Sequence, residues 1–185
     1  AFSVTEQRYD SFQDYADAFR NHFTNAVQRR MRSAYPVAMS VSGGLDSSSI
    51  LCMAETLRRS SPTAVQPMAG FSYLSPAGSP SDEKEFLVEI ERRYDIAIER
   101  VPPGRPGMMN GCRDAVWHIE APFLDQQWNT MHEFFRTAQQ RGTRVMLTGH
   151  WADQVLFPQA YLVDLFRQLR WQEIVSHLRE FSRWM

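Results

Sequence analysis

The sequence predicts an α/β fold in which a parallel sheet carries helices on both faces. Short apolar runs typical of buried strands alternate along the chain with longer segments whose apolar residues recur at helical spacing. Two of these runs also pass directly into loops that contain glycine and aspartate. Strands and helices that alternate at this rhythm form parallel sheets whose two faces are both covered.

The individual elements can be placed in order along the chain. A first amphipathic helix is predicted over about 11–33, with Asp10 or Ser11 as its N-cap, and Tyr35-Pro36 ends it. Strands are predicted at 37–41, 68–73, 96–101 and 144–147. Further helices are predicted at 47–59, 82–94, 126–140, 160–169 and 171–183, with a helical turn at 114–118. The predicted N-cap of the helix at 82–94 is Asp82 or Ser81. Residues 1–34 thus form a predicted N-terminal packing helix ahead of a domain at 35–185.

Length and charge narrow the class of protein. The 185 residues suffice for one domain with a substantial core. The net charge of -1 argues against nucleic acid and anionic membranes as partners, because both usually require a basic surplus. Apolar runs stay well short of the roughly 18 residues that span a bilayer, and a signal-peptide pattern is absent. We therefore expect a cytoplasmic protein.

The strand-to-helix loop at 42–48, S-G-G-L-D-S-S, carries the strongest functional signal. Its glycines let the backbone approach a ligand, and the helix start offers unpaired N–H groups with a partial positive charge. Because no lysine follows the glycines, this is not a Walker loop, and the serine hydroxyls would have to hold phosphate together with backbone N–H groups. Asp46 suits such a loop if Mg²⁺ lies between its carboxylate and the phosphates. A plain helix N-cap is the alternative, which the strand-loop-helix context disfavours.

A second loop at 148–153 repeats the combination of glycine and carboxylate after a strand. Ligands of parallel sheets bind outside the carboxyl ends of the strands, where both loops begin. We therefore expect the two loops to face one site.

Together, the two loops resemble the motifs of a known family. S-G-G-L-D-S-S resembles the pyrophosphate loop of the N-type ATP pyrophosphatases, in the form used by asparagine synthetases, beta-lactam synthetases and lasso-peptide cyclases. L-T-G-H-W-A-D-Q at 147–154 resembles the family's later motif, usually L-S-G-E-G-A-D-E. Two motifs in this order, about 100 residues apart and each after a strand, make the match specific. The resemblance covers about 35–184.

The resemblance implies a Rossmann-like fold of the adenine nucleotide alpha hydrolase type, and an ATP-dependent amide-forming ligase. Such enzymes activate a carboxylate of a small molecule or peptide as acyl-AMP, release pyrophosphate, and let a nitrogen nucleophile displace AMP. The implied cofactors are ATP and Mg²⁺. A peptide or lactam cyclase that uses the same adenylation chemistry is an alternative, and so is a catalytically lapsed nucleotide-binding module with an assembly role.

The family's site residues map onto this sequence position by position. The implied pyrophosphate ligands are Ser42, Gly43, Gly44, Asp46 through its metal, Ser47 and Ser48. Asp46 and Asp153 would hold Mg²⁺. Backbone near Ser40 and Tyr73 would receive adenine, and Gly149 would lie against the nucleotide.

Several positions depart from the family pattern or fit it loosely. His150 replaces a family glutamate near the reacting centre, and Gln154 replaces a second one. A histidine there fits a proton carrier, a different substrate or a lapsed activity. Glu120 resembles an acidic residue that would face the substrate, although a helix-capping or surface role fits it as well. The family's catalytic lysine lies beyond the second motif, whereas Lys84 is the single lysine here, so we expect a fragment of a synthetase domain.

The last two predicted helices are rich in apolar residues, which we expect to lie mostly in the core. These residues are Phe157, Tyr161, Leu165, Phe166, Trp171, Leu178, Phe181 and Trp184. If the chain is a fragment, part of this surface is exposed, and a partner chain or a second copy would cover it.

Overall fold

Four short strands form one parallel sheet in a computed structural model of the protein. They are β1 (Val37–Ser40), β2 (Met68–Tyr73), β3 (Ile98–Val101) and β4 (Val145–Leu147), in the spatial order β3-β2-β1-β4. The structure describes residues 7–61, 68–79, 82–103, 111–122, 127–150, 152 and 160–184. The predicted α/β fold with a parallel sheet is confirmed.

The described helices follow the predicted order. They are α1 (Phe12–Arg30), α2 (Leu45–Ser60), α3 (Lys84–Tyr94), α4 (Cys112–Ile119), α5 (Gln127–Gln140), α6 (Ala160–Arg167) and α7 (Trp171–Trp184). The predicted boundaries differ by a few residues, and the expected turn at 114–118 is longer, as α4. By spatial clustering the chain divides into compact units at 1–149 and 150–185. The predicted boundary after residue 34 stays a prediction.

Both faces of the sheet are covered, as the sequence predicts. On one face, Met39 and Ile98 pack with Leu51 of α2 and Leu87 of α3, and α1 joins this layer through Val27 against Ala54 of α2. On the opposite face, strand residues pack against α5. This second cluster contains Ala38, Phe71, Val101, Phe134 and Ala138. The alternation of Ala38 and Met39 between the two clusters follows from the two-residue period of a strand.

The helix starts agree only in part with the predicted caps. Ser11 caps α1 as predicted, and its hydroxyl accepts a hydrogen bond from the Asp14 N–H. The prediction that Ser81 or Asp82 caps α3 is wrong for Asp82, because Glu83 is the N-cap residue there. The Asp82 carboxylate instead accepts a hydrogen bond from the Gly78 N–H at 2.9 Å. Ser81 lies outside the described residues.

The strand order creates a switch point beside β1. The chain moves from β1 to β2 and β3 on one side, whereas β4 pairs with the other side of β1. The loops that follow β1 and β4 therefore leave the sheet next to each other at its carboxyl edge. Ligands of open parallel sheets bind at such a point.

The second unit contains α6 and α7, and the predicted core there is confirmed for Leu165 but wrong for Phe166, Trp171, Leu178 and Phe181. Leu165 is buried, and the ring of Tyr161 lies 5.0 Å from that of His177. Exposed fractions of 44% or more belong to Val163, Phe166, Leu169, Trp171, Val175, Leu178 and Phe181. Two short helices bury only the residues along their shared seam, so the remaining apolar side chains face solvent. Phe157 and the side chain of Trp184 lie outside the described residues.

Among the described helices, none is long and apolar enough to cross a membrane.

Candidate functional site

The loop between β1 and α2 is shaped by its own serines and by a glycine in a left-handed conformation. Gly43 has φ +104°, which residues with a side chain rarely adopt. The Ser47 hydroxyl accepts a hydrogen bond from the Ser42 N–H at 3.1 Å, and the two serine hydroxyls lie 3.1 Å apart. The Gly44 N–H donates to the Ser42 hydroxyl at 3.1 Å. These bonds fold the loop back over the first turn of α2.

The start of α2 lacks a side-chain cap. Gly44 is the N-cap residue and has no side chain to accept from the first turn, while its own N–H donates to the Ser42 hydroxyl. The first N–H groups of a helix need acceptors and carry the positive end of the helix dipole. Nearby, the Ser48 hydroxyl oxygen is buried without a hydrogen-bond partner among the described residues. The helix start thus retains hydrogen-bonding capacity that an anion could satisfy.

The loop after β4 reaches this helix start directly. A Cβ atom at Gly149 would lie 2.6 Å from the Ser47 nitrogen and 3.1 Å from the Asp46 carbonyl carbon. Real side chains do not approach so closely, so only glycine lets the two backbones touch here. Residues 148–149 of the second loop therefore lie against the first loop at the carboxyl edge of the sheet, and the prediction that the two loops face one site stays a prediction. Whether Gly149 also touches a nucleotide stays a prediction.

A residue that the sequence did not place in the site, Glu83, walls the outer side of the loop. A Cβ atom at Gly43 would lie 2.7 Å from the Glu83 Cβ and 2.9 Å from its carbonyl oxygen. From a Cβ position at Gly44, both Glu83 carboxylate oxygens lie 3.7 Å away. In the sequence, Asp82 and Glu83 suit a helix start, and they also resemble an Asp-Glu pair that the family often carries after its second strand. A further signal was topological, because the segment after β2 leaves the sheet beside the loop after β1.

The two residues expected near adenine lie at the same edge of the sheet. Ser40 ends β1 opposite Phe71, and Tyr73 ends the neighbouring β2. The Tyr73 ring stacks on Phe134 with 4.2 Å between centroids, and burial raises the pKa of the Tyr73 hydroxyl. The proposed contact of Ser40 and Tyr73 with adenine stays a prediction.

Glu120 lies beside an open cavity at the end of α4. It follows α4 with φ +56° and lines an open cavity of about 710 Å³. Among the described residues, the cavity is also lined by Arg113, Asp114, Val116 and Trp117. Among the described residues, Glu120 makes no hydrogen bond or ion pair with the loops at 42–48 and 148–149. Its substrate-facing role stays a prediction.

The remaining predicted site residues are described only in part. His150 follows Gly149 in the chain and its side chain is exposed. Asp153 and Gln154 lie outside the described residues, so the predicted pairing of Asp46 and Asp153 on Mg²⁺ is not tested. Within the described ranges, no cluster of three or more His, Cys, Asp or Glu side chains could hold a metal ion.

The described residues suit a polyphosphate. Within the described part of the chain, the start of α2 has no side-chain cap from its N-cap residue, and the buried Ser48 hydroxyl lacks a hydrogen-bond partner. Asp46 in the first turn of α2 supplies a carboxylate, which is a ligand that Mg²⁺ accepts together with phosphate oxygens. The donor set therefore fits a magnesium-bound pyrophosphate group better than a free one.

Comparison with a protein-family model decides the family. The model described as asparagine synthase matches residues 18–184. The chain belongs to the asparagine synthase family. The parallel sheet is consistent with the Rossmann-like adenine nucleotide alpha hydrolase fold of that family. The family is one of ATP-dependent amidation and ligase enzymes.

Two curated relatives share low identity with this family member. Amidase chyE of Penicillium rubens is 26% identical over 151 residues, which cover 78% of this chain and 22% of the relative. Amidase chry2 of Gibberella zeae is 23% identical over 145 residues, which cover 75% of this chain and 22% of that relative. The chain thus spans less than a quarter of the length of these relatives.

Proposed function

We propose that this chain supplies the ATP site of a ligase that activates a carboxylate as acyl-AMP and transfers it to nitrogen. The observation that carries the proposal is the backbone contact between Gly149 and Ser47, which joins the two family motifs at the uncapped start of α2. Membership in the asparagine synthase family supports the use of ATP. The acyl donor is a small-molecule or peptide carboxylate, and the acyl acceptor is a nitrogen nucleophile.

The proposed reaction has two balanced steps. First, a carboxylate oxygen attacks the α-phosphorus of ATP, the bond from that phosphorus to the bridging oxygen breaks, and pyrophosphate leaves. Next, the nitrogen nucleophile attacks the acyl carbon, and AMP leaves with the former carboxylate oxygen. The nitrogen loses a proton in this step, and His150, in place of the family glutamate, is the proposed acceptor because an imidazole ring nitrogen can accept a proton.

The residues of the first loop have distinct proposed roles. The N–H groups at the start of α2 would hold the β- and γ-phosphates, because they offer donors and a positive dipole end. Ser47 would keep the loop in shape through its bond with the Ser42 N–H. Asp46 would hold Mg²⁺, which neutralises charge on the leaving pyrophosphate. Asp153 is the proposed second carboxylate.

An isotope experiment tests the acyl-AMP step. The chain is incubated with ATP, Mg²⁺ and a panel of carboxylates labelled with ¹⁸O, with ammonia or a primary amine as nucleophile. The proposal predicts equal amounts of amide, AMP and pyrophosphate, with one ¹⁸O atom in AMP. Formation of ADP and phosphate, or label in pyrophosphate, would contradict it.

Matched variants assign the metal role. Asp46→Asn should weaken Mg²⁺-dependent ATP binding by about tenfold or more, because it removes a charged ligand. Asp14→Asn is the control, since Asp14 lies in the first turn of α1 and its replacement should leave ATP binding unchanged.

The replacement of the family glutamate by His150 favours a second candidate, a lapsed nucleotide-binding module. ATP binding that depends on Asp46, without turnover of any carboxylate, would favour that module over the ligase.

A further inference from the structure

The Glu83 carboxylate lies against the glycine pair of the first loop. Both of its oxygens lie 3.7 Å from the Cβ position of Gly44, and one lies 3.4 Å from that of Gly43. Glu83 is also the N-cap residue of α3, and its carbonyl oxygen accepts hydrogen bonds from Phe86 and Leu87. These bonds hold the Glu83 backbone in place, and its side chain begins beside the loop.

The charge of Glu83 is not compensated within the described part of the chain. No hydrogen bond or ion pair of its carboxylate is recorded there, although the residue is half-buried. The adjacent Lys84 pairs with Asp82 instead, with 3.4 Å between the ammonium nitrogen and a carboxylate oxygen. Asp46, in the first turn of α2, adds a second carboxylate to the same loop. A bare phosphate at the glycine pair would thus meet carboxylates as well as N–H donors.

We propose that Glu83 is a specificity-determining residue, which makes the loop reject metal-free polyphosphate and accept its divalent-cation complex. The inference rests on the proposed function of this loop as a pyrophosphate site. A carboxylate next to phosphate oxygens is repulsive, and a divalent cation nearby reverses the sign of that interaction. Gly43 permits this arrangement, because a Cβ atom there would lie 2.7 Å from the Glu83 Cβ and would displace Glu83.

The expected change in pyrophosphate affinity follows from the repulsion between the Glu83 carboxylate and phosphate oxygens a few ångströms away in a partly solvated site. Removal of one such charge changes anion affinity by about tenfold. Glu83→Gln keeps the shape of the side chain and removes its charge. In this variant, metal-free pyrophosphate should bind about tenfold more tightly, whereas affinity for the Mg²⁺ complex should change by less than about twofold.

Calorimetric titration with pyrophosphate tests the proposal, once in excess EDTA and once in excess Mg²⁺. The wild-type chain, Glu83→Gln and Glu85→Gln are compared, and thermal melts verify that all three are folded. Glu85 is an exposed residue in the first turn of the same helix, so its variant controls for net charge. The proposal predicts that the ratio of the two dissociation constants falls about tenfold for Glu83→Gln alone.

The outcomes separate this inference from the function on which it rests. If the wild type binds the Mg²⁺ complex but Glu83→Gln and Glu85→Gln leave the ratio unchanged, the inference is wrong and the pyrophosphate site stands. If Glu83→Gln loses affinity for the Mg²⁺ complex by tenfold or more, Glu83 is a metal ligand and the inference is again wrong. If the wild type binds neither form, the proposed function fails and the inference fails with it.

Discussion

Helices α1 and α2 begin with similar residues but differ in how their first N–H groups are satisfied. At α1, the Ser11 hydroxyl accepts from the Asp14 N–H at 3.2 Å, and the Asp14 carboxylate accepts from the Ser11 N–H at 3.1 Å. At α2, Gly44 provides no side-chain acceptor, and Ser47 bonds back to Ser42. Serine and aspartate thus close one helix start and leave the other open. The direction of the side chains distinguishes a capped helix from a candidate anion site.

The largest expected effect comes from forcing the two loops apart at the open helix start. Gly149→Ala places a methyl group 2.6 Å from the Ser47 nitrogen, so the loops must separate. We expect ATP affinity to fall by about tenfold or more, and the free energy of unfolding to fall by about 1–3 kcal/mol. Calorimetry with Mg²⁺-ATP and urea unfolding measure the two quantities.

Gly142→Ala is a control variant that introduces backbone strain without bringing a new methyl group against another part of the chain. Gly142 has φ +79° and open space around its Cβ position. This variant should lose about 1 kcal/mol of stability and keep its ATP affinity. Equal affinities for the wild type and Gly149→Ala would contradict the proposed role of the loop contact.

A smaller loss is expected when the shape of the open loop is loosened. Ser47→Ala removes the acceptor of the Ser42 N–H and leaves that group without its partner. The predicted cost is about 1–2 kcal/mol of unfolding free energy, together with a drop of about fivefold in ATP affinity. Ser47→Thr, which keeps the hydroxyl, should recover most of the affinity if the hydrogen bond is the cause.

A substitution far from both helix starts in the sequence, Glu91→Gln, tests whether ATP affinity simply follows the free energy of unfolding. The Glu91 carboxylate accepts hydrogen bonds from Arg100 at 2.9 Å and from the Ile98 N–H at 2.8 Å. These bonds, the first above all, hold the pKa of Glu91 below its usual 4.5. Glu91→Gln should lose about 1–2 kcal/mol at pH 7 with no change in ATP affinity.

The pH dependence of this loss has a defined sign. Because the folded state lowers the pKa of Glu91, its contribution is fully present above about pH 4.5 and disappears as the pH falls through the lowered value. Urea unfolding of both proteins at pH 7 and pH 3 should therefore show a difference at pH 7 that shrinks at pH 3. An equal difference in unfolding free energy at both pH values would mean that the shape of the Glu91 side chain rather than its charge matters.

Glu89→Gln removes an exposed ion pair with Arg92 and should lower the free energy of unfolding by less than about 0.5 kcal/mol.

The closed helix start gives the smallest effect of the series on function. Ser11→Ala removes the capping box of α1 and should lower stability by about 1 kcal/mol without changing ATP affinity. Chemical denaturation and calorimetry on the same preparation measure both. A loss of affinity in this variant would show that binding responds to general destabilisation.

Local patterns in the sequence were sufficient for the sheet and for the meeting of the loops. The apolar runs at β1 and β4 and the glycines that follow them are features of single segments. The contact of Glu83 with Gly43 was not predictable in this way, because it depends on how α3 folds back over a loop that lies forty positions earlier. For α6 and α7, apolar spacing identified the faces that favour burial, but it does not reveal what covers them. Phe181 and Leu178 are accordingly exposed where a core was expected.

Titration of the chain with Mg²⁺-pyrophosphate, followed by amide NMR, tests the central claim most directly. The open start of α2 should respond, with the largest shift changes at the N–H groups of Gly43, Gly44, Leu45 and Asp46. The capped start of α1, reported by the amides of Gln13 and Asp14, should remain unchanged. Saturable changes confined to residues 42–48 and their neighbours would agree with a pyrophosphate site at this helix start. Changes at both helix starts, or none at α2, would contradict it.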